Sequence, residues 1–384
     1  TNNSSLGLRG SNTNSGVIQL QSGGNITDLA IDGVVSLNGS GSVHSSATGA
    51  NRIVGNGSTL TVGAGQSILG SISVGAGGSL VLVNNGLFAA TQSPAMTIET
   101  SGGVTNNNVL RGDGGTLVLQ NTGVTQGLSG VLDAINGGTV QLTNATITGG
   151  SFTTSGGGTV VTANGTTNVL SGVTNQGTLN VVNNSHINLT GNLVNNGSLN
   201  LLSAGNFTNL FITGDRTISG SGVINLSNTQ ANRIQGAGAT LTVANGQTVQ
   251  GAGTIGAGSA GFTLVNQGTV IASQGAGLLI NATYEDLANH RDAYSGSFTG
   301  VAPTVRARLG ERTTVTLAYD YDRDRRVTDR GVPSLGSTPI RGYDRTFFGD
   351  PAINTSRVDA HVARMRLDHE LGETLTVNAS VQYA

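Results

Sequence analysis

Along the first 275 positions, short apolar–polar–apolar runs recur on a beat close to twenty, each opened by a small residue and then Ser or Thr. The clearest are Gly138-Thr139-Val140-Gln141-Leu142, Gly158-Thr159-Val160, Gly177-Thr178-Leu179-Asn180-Val181 and Gly197-Ser198-Leu199-Asn200-Leu201. Their hydroxyl residues stand at 139, 159, 178 and 198, intervals of 20, 19 and 20. Thr59, Ser79, Thr97 and Thr116 extend the series upstream, and Thr217, Thr240 and Thr269 extend it downstream. Period-two alternation marks strands, and a strand returning at fixed interval between Gly and Asn predicts a parallel β-helix, each coil stacked on the last. Roughly 13 coils at about 4.8 Å give a rod on the order of 60 Å.

A longer repeat supports the beat. Residues 39–81 match 220–262 at an offset of 181, with 21 of 43 positions identical. Ala50-Asn51-Arg52-Ile53 matches Ala231-Asn232-Arg233-Ile234, and Thr59-Leu60-Thr61-Val62 matches Thr240-Leu241-Thr242-Val243. The offset is close to nine beats, so the duplication is expected to keep the stacking register. Asn recurs at the predicted bends, in Asn84-Asn85-Gly86, Asn175-Gln176-Gly177, Asn195-Asn196-Gly197 and Asn266-Gln267-Gly268. Asn and Gly tolerate the left-handed backbone of a tight corner, and stacked Asn amides hydrogen-bond along a rod.

The pattern changes near residue 277. Val315, Leu317, Tyr319 and Tyr321 alternate with Thr314, Thr316, Ala318 and Asp320; Leu375, Val377, Ala379, Val381 and Tyr383 alternate with Thr374, Thr376, Asn378, Ser380 and Gln382. Leu309-Gly310-Glu311 and Leu371-Gly372-Glu373 read as tight turns, with a long polar stretch at 327–354 between them. Strands of about ten residues joined by short turns at one end and a long loop at the other describe an outer-membrane β-barrel. A soluble antiparallel sheet with one wet face shows the same alternation. Two domains follow: a β-solenoid at 1–277 and a partial antiparallel barrel at 278–384. The fold class is all-β, a parallel β-helix of roughly twenty positions per coil followed by the antiparallel sheet.

Composition sharpens the division. Of 38 charged residues, only 11 lie up to residue 280, while all 6 Tyr and 4 of the 5 Pro lie beyond it. The 61 Gly disfavour a helical domain. There is no Cys, hence no disulfide framework or thiolate metal site. A net charge of −2 argues against a nucleic-acid partner, which needs a basic face. No apolar run approaches the roughly 20 residues of a spanning helix. The opening Thr1-Asn2-Asn3 and the close at Tyr383-Ala384 read as cuts, so an internal piece or a processed product is expected.

Three runs in the last third carry a family likeness: Tyr319-Asp320-Tyr321-Asp322-Arg323-Asp324-Arg325, Asp329-Arg330-Gly331-Val332-Pro333 and Arg345-Thr346-Phe347-Phe348-Gly349-Asp350-Pro351. With Ser356-Arg357-Val358-Asp359 and Leu367-Asp368-His369-Glu370-Leu371-Gly372, residues 280–384 resemble a fragment of a TonB-dependent siderophore receptor. The resemblance implies an outer-membrane location, lipid contact, ferric siderophore as ligand, and the 327–354 loop outside the cell. It makes Arg330, Tyr343, Phe347 and Phe348 candidate ligand contacts, since cationic and aromatic groups suit bulky anionic chelates. A receptor barrel has roughly 22 strands, so an incomplete barrel is expected. The Asn-Gln-Gly-Thr-Leu and Asn-Asn-Gly-Ser-Leu repeats resemble, more diffusely, autotransporter and filamentous haemagglutinin-type passenger regions.

Candidate chemistry in the solenoid is sparse. Arg111-Gly112-Asp113 is an adhesion tripeptide when displayed on a protruding loop, and it stands at a predicted bend before Thr116-Leu117-Val118-Leu119. Polysaccharide-cleaving β-helices need clustered carboxylates, but Asp28, Asp32, Glu99, Asp113, Asp133 and Asp215 are scattered. Asp28 and Asp32, the close pair, read as bend residues, and His44 and His186 as exposed. The run Asp320 to Arg326 reads as a solvated loop base, and His361 and His369 lack a metal-ligand cluster. The expectation is a non-enzymatic bacterial surface protein without cofactor or metal, its solenoid displaying a face to a host or cell-surface ligand. The alternatives are a siderophore-receptor fragment and, from another class, a polysaccharide-cleaving enzyme.

Overall fold

The computed structural model describes residues 2–256, 261–274, 277–288, 291–309, 312–371 and 375–384. The turn residues Gly310, Glu311, Gly372 and Glu373, with Thr374, lie outside the described residues. The chain divides into Thr1–Ile271 and Ala272–Ala384.

The first unit is a parallel β-solenoid whose coils each cross three stacks of strands. One stack is a sheet of twelve parallel strands, from Val17–Leu20 to Thr263–Asn266. One strand per coil makes about eleven turns, fewer than the thirteen expected, so the rod is correspondingly shorter. The other two stacks belong to a 21-stranded sheet. The strand Thr27–Asn38 shows how they join, pairing Thr27–Ala30 with Asn51–Val54 and then Val34–Leu37 with Thr59–Val62.

Period-two sequence gives the strands an inside and an outside. In Thr178–Val182, Leu179 and Val181 are buried while Thr178, Asn180 and Val182 face outward. Val140, Val160, Leu179, Leu199 and Ile224 follow one another in register as a fully buried or nearly buried column. Each such side chain contributes about 1.5–3 kcal/mol. Phe88 and Phe152 are fully buried in the same core.

The stack of hydroxyl residues holds where the spacing is regular: Thr139 pairs with Thr159 and Thr178 with Ser198. Beyond it the coil lengthens. Thr116 reaches Thr139 across 23 positions, and Ser198 next meets Val223 rather than Thr217. Thr217 stands in the twelve-stranded sheet against Thr242, and Thr240 stands there against Thr263. These two downstream members of the sequence series therefore occupy a different face, whereas Thr269 stands in the larger sheet. Extra residues are absorbed at corners, where no ladder dictates length.

The duplication also behaves differently from expectation. Thr59–Val62 belongs to the larger sheet, but its copy Thr240–Val243 lies in the twelve-stranded one; Ser67–Leu69 makes the opposite exchange with its copy at Thr248. The copy is turned by one face, so the offset between the two segments is not a whole number of coils. Local bonding is nonetheless reproduced. Asn51 accepts from the Ser22 amide (3.1 Å) and donates to the Ser46 carbonyl (3.0 Å); Asn232 accepts from Ser203 (3.1 Å) and donates to Ser227 (2.8 Å).

The corner Asn side chains point inward. Asn84, Asn106, Asn175 and Asn195 are fully buried. Asn84 donates to Asn106 (2.8 Å), Asn106 to Gln126 (2.9 Å), and Asn175 to Asn195 (2.8 Å), the amide stacking expected of the rod. The left-handed backbone falls elsewhere, on Asn121, Asn136, Asn144 and Asn184. Gly197 serves another need: a Cβ there would collide with the carbonyl oxygen of Gly177 on the previous coil.

The second unit holds a five-stranded antiparallel meander: Gly277–Ala288, Ser295–Arg308, Thr313–Val327, Thr355–Glu370 and Thr376–Tyr383. The connection from Val327 to Thr355 is long and carries a small hairpin, Ser334–Leu335 against Thr338–Pro339.

Candidate functional site

Three surfaces carry the chemistry. The first is the long connection at 328–354. Its base is closed by the Thr328 amide donating to the Asn354 carbonyl (2.7 Å). Arg291, on the connection preceding Ser295–Arg308, ion-pairs with Asp329 and donates to the Thr346 carbonyl (2.9 Å). The Asp292 amide donates to the Arg345 carbonyl (2.7 Å). Two loops at the same end of the sheet are thereby stitched together. Of the ligand candidates, Tyr343 and Phe348 meet edge to face with centroids 5.6 Å apart, both exposed. Phe347 is half-buried beside them in sequence, and Arg330 is exposed, without an ion pair among the described residues.

The second surface is the sheet itself. In the pair of strands at its centre, Val315 opposes Leu367, Leu317 opposes Met365, Tyr319 opposes Ala363 and Tyr321 opposes His361. Met365 in turn opposes Val381, and Ala363 opposes Tyr383. All these positions share one face by the two-residue alternation. Leu317, Tyr319, Met365, Val381 and Tyr383 are exposed, and with Pro303 they line an apolar cleft of about 400 Å³. The opposite face is charged: Arg364 pairs with Asp320, Arg366 with Asp368 (2.8 Å) and Arg326 with Asp324.

The run expected as a loop base, Asp320 to Arg326, is therefore strand, within Thr313–Val327. Alternation sends Asp320, Asp322, Asp324 and Arg326 to one side and Arg323 and Arg325 to the other. Arg325 faces Arg357 across the ladder, and both line a polar cleft of about 740 Å³. Asp359 offers a carboxylate to Arg323 and Arg325, each at 3.8 Å. Arg325 and Arg357, present in the runs that carry the family likeness, come together only in the ladder; the parity of the charged run continues that of Val315 to Tyr321.

The third surface is the outside of the solenoid. Arg111-Gly112-Asp113 lies inside the strand Val109–Asp113 rather than on a bend. Arg111 pairs with Asp133 (2.8 Å), which also accepts from Thr153 (2.6 Å), and Asp113 accepts from Asn136 (2.8 Å). Asp28 and Asp32 are likewise strand residues, paired with Arg52 (2.8 Å) and Arg9 respectively. The hydrogen bond from Arg52 to Asp28 holds the guanidinium above its ordinary range. His186 is half-buried, not exposed; burial pushes its pKa down, and its Nδ1 meets the Asn209 amide at 2.8 Å. No group of three or more His, Asp or Glu that could hold a metal occurs among the described residues.

Among characterised proteins, the chain is similar to a probable TonB-dependent siderophore receptor, PiuA, of Acinetobacter baumannii. The two are 27% identical over 92 residues, covering 22% of this chain and 12% of the receptor. The chain thus spans about an eighth of that relative's length. No protein-family profile matches the chain. No solved structure matches it either.

Proposed function

We propose that this chain is a bacterial cell-envelope protein: a non-enzymatic β-solenoid, displayed in the manner of an adhesin, joined to a segment of outer-membrane barrel wall. The carrying observation is the division of the strands Thr313–Val327, Thr355–Glu370 and Thr376–Tyr383 into an exposed apolar face and an ion-paired face. An apolar face is favourable against lipid and unfavourable in water, whereas the ion-paired face suits a polar lumen. From Val315 to Tyr321 the apolar row spans about 20 Å, close to the roughly 25 Å band of such barrels, and Arg323 and Arg325 follow at its edge. The likeness to the siderophore receptor supports the same reading. Among the described residues the strands Gly277–Ala288 and Thr376–Tyr383 pair on one side each, so insertion of the full chain requires its copies to pair edge to edge and cover both edges.

The solenoid supports display rather than catalysis. Asp28, Asp32 and Asp133 are each held by an arginine, and its core is a continuous aliphatic column. Export of the full chain into the outer membrane of a Gram-negative host tests the membrane half. It is expected to resist alkaline carbonate extraction and to be nicked within 328–354 by protease added to whole cells. Recovery in the soluble fraction would overturn the barrel-wall reading.

The receptor likeness favours a second reading, a ferric-siderophore receptor fragment with Arg330, Tyr343, Phe347 and Phe348 at the ligand. Titration of the full chain with ferric siderophores measures it directly; absence of binding removes it without touching the solenoid.

A further inference from the structure

The two copies of the duplicated segment differ at one cluster. In the first, Arg52 is neutralised by Asp28. In the second, Arg233 matches Arg52, and the offset of 181 carried upstream of the repeat puts Asn209 where Asp28 stands, so the carboxylate is gone. At the same offset Phe207 and Phe211 stand in place of Ile26 and Ala30. Arg233 lies over the Phe207 ring, its guanidinium carbon 3.2 Å from the centroid, and has no ion pair among the described residues. Its ladder neighbours are Asn209 on one side and Thr254 on the other. Asn209 Oδ1 and Thr254 Oγ1 are both buried without a hydrogen-bond partner. Beside this row runs a second, Asn188, Phe211 and Gln235, in register and facing the same way.

We infer that this face binds an acidic polysaccharide of the uronate class. Phe207 clamps the guanidinium from one side and leaves its N–H fork for a carboxylate. Phe211 offers an apolar platform to the C–H face of a pyranose ring, and the amides of Asn188 and Gln235 flank it for hydroxyls. Both rows run from coil to coil in register, which suits a chain of sugars rather than an enclosed small molecule. A cation kept without its acid, beside aromatics the first copy lacks, is surplus to holding the coil together.

The site deepens the display reading and rests on it for its setting. Its binding is measured in solution, independently of membrane partition, so either reading fails alone. The full chain is titrated calorimetrically with polygalacturonate, with dextran and inorganic phosphate as comparison probes. Arg233→Gln and Phe211→Ala are expected to weaken binding at least roughly tenfold. Asn209→Asp, which rebuilds the Asp28–Arg52 arrangement, is expected to do the same while the protein melts no earlier. Asp28→Asn is expected to leave binding unchanged. Polygalacturonate binding indistinguishable between wild type and Asn209→Asp, no binding by wild type, or equal binding of phosphate alone would each overturn the inference.

Discussion

Arg291 forms an ion pair with Asp329 in which each side chain is only 9% exposed. The pair joins two connections that are separated in sequence by two whole strands, Ser295–Arg308 and Thr313–Val327. Asp329 also accepts from the Gly331 amide (2.9 Å). Removing one partner of a buried pair strands the other charge and costs about 3–5 kcal/mol. Arg291→Ala is therefore expected to loosen 328–354 selectively. Limited proteolysis should show faster cleavage within that stretch, with cleavage in the solenoid unchanged.

Close coil-to-coil approach at Gly197 leaves no room for a methyl group. Gly197→Ala should lower the urea midpoint of solenoid unfolding by more than Thr178→Ala, whose side chain faces outward. Asn195→Ala tests the neighbouring ladder. It leaves Asn175 and Gln247 without their amide partner, a loss of roughly 1–3 kcal/mol. Equal midpoints for the three variants would show that the corner is slack.

The two faces of the sheet should respond oppositely to charge. Leu317→Arg puts a cation on the apolar face, and at the middle of a bilayer that costs about 2–4 kcal/mol. Thr316→Arg places the same charge on the polar face, in the row of Arg366. Recovery of the full chain in outer-membrane fractions is expected to fall for the first and to persist for the second.

His186 gives the solenoid a pH dependence. Burial lowers its pKa below the ordinary 6.5, so the unfolded chain takes up a proton more readily than the folded one. Its contribution is complete above about 6.5 and is lost as pH falls through the lowered folded value. Protonation of Nδ1 also opposes the Asn209 amide, which points its N–H at that atom. Melting temperatures recorded between about pH 7.5 and pH 5.5 should fall more steeply for wild type than for His186→Gln; parallel curves would assign the dependence to other groups.

The sequence by itself determined the solenoid, its inward aliphatic column and the alternating strands after residue 277. Those rest on local periodicity: Leu179 and Val181 are one pleat apart whatever the rest of the chain does. It also announced that Asn would stack, because identical residues at matched positions meet in parallel coils. Tertiary structure alone decided how much chain each corner absorbs, hence which face Thr217 or Thr240 joins and why the duplicate is turned by one face. Corners carry no ladder, so their lengths leave no periodic trace. Partners across coils were equally hidden. Asp28 read as a bend residue and Asp133 as a scattered acid until stacking set Arg52 and Arg111 beside them, and Arg233 became conspicuous only against that pairing. Contacts between residues a full coil apart depend on the register of whole coils, which the sum of many small packing terms selects and no single motif spells out.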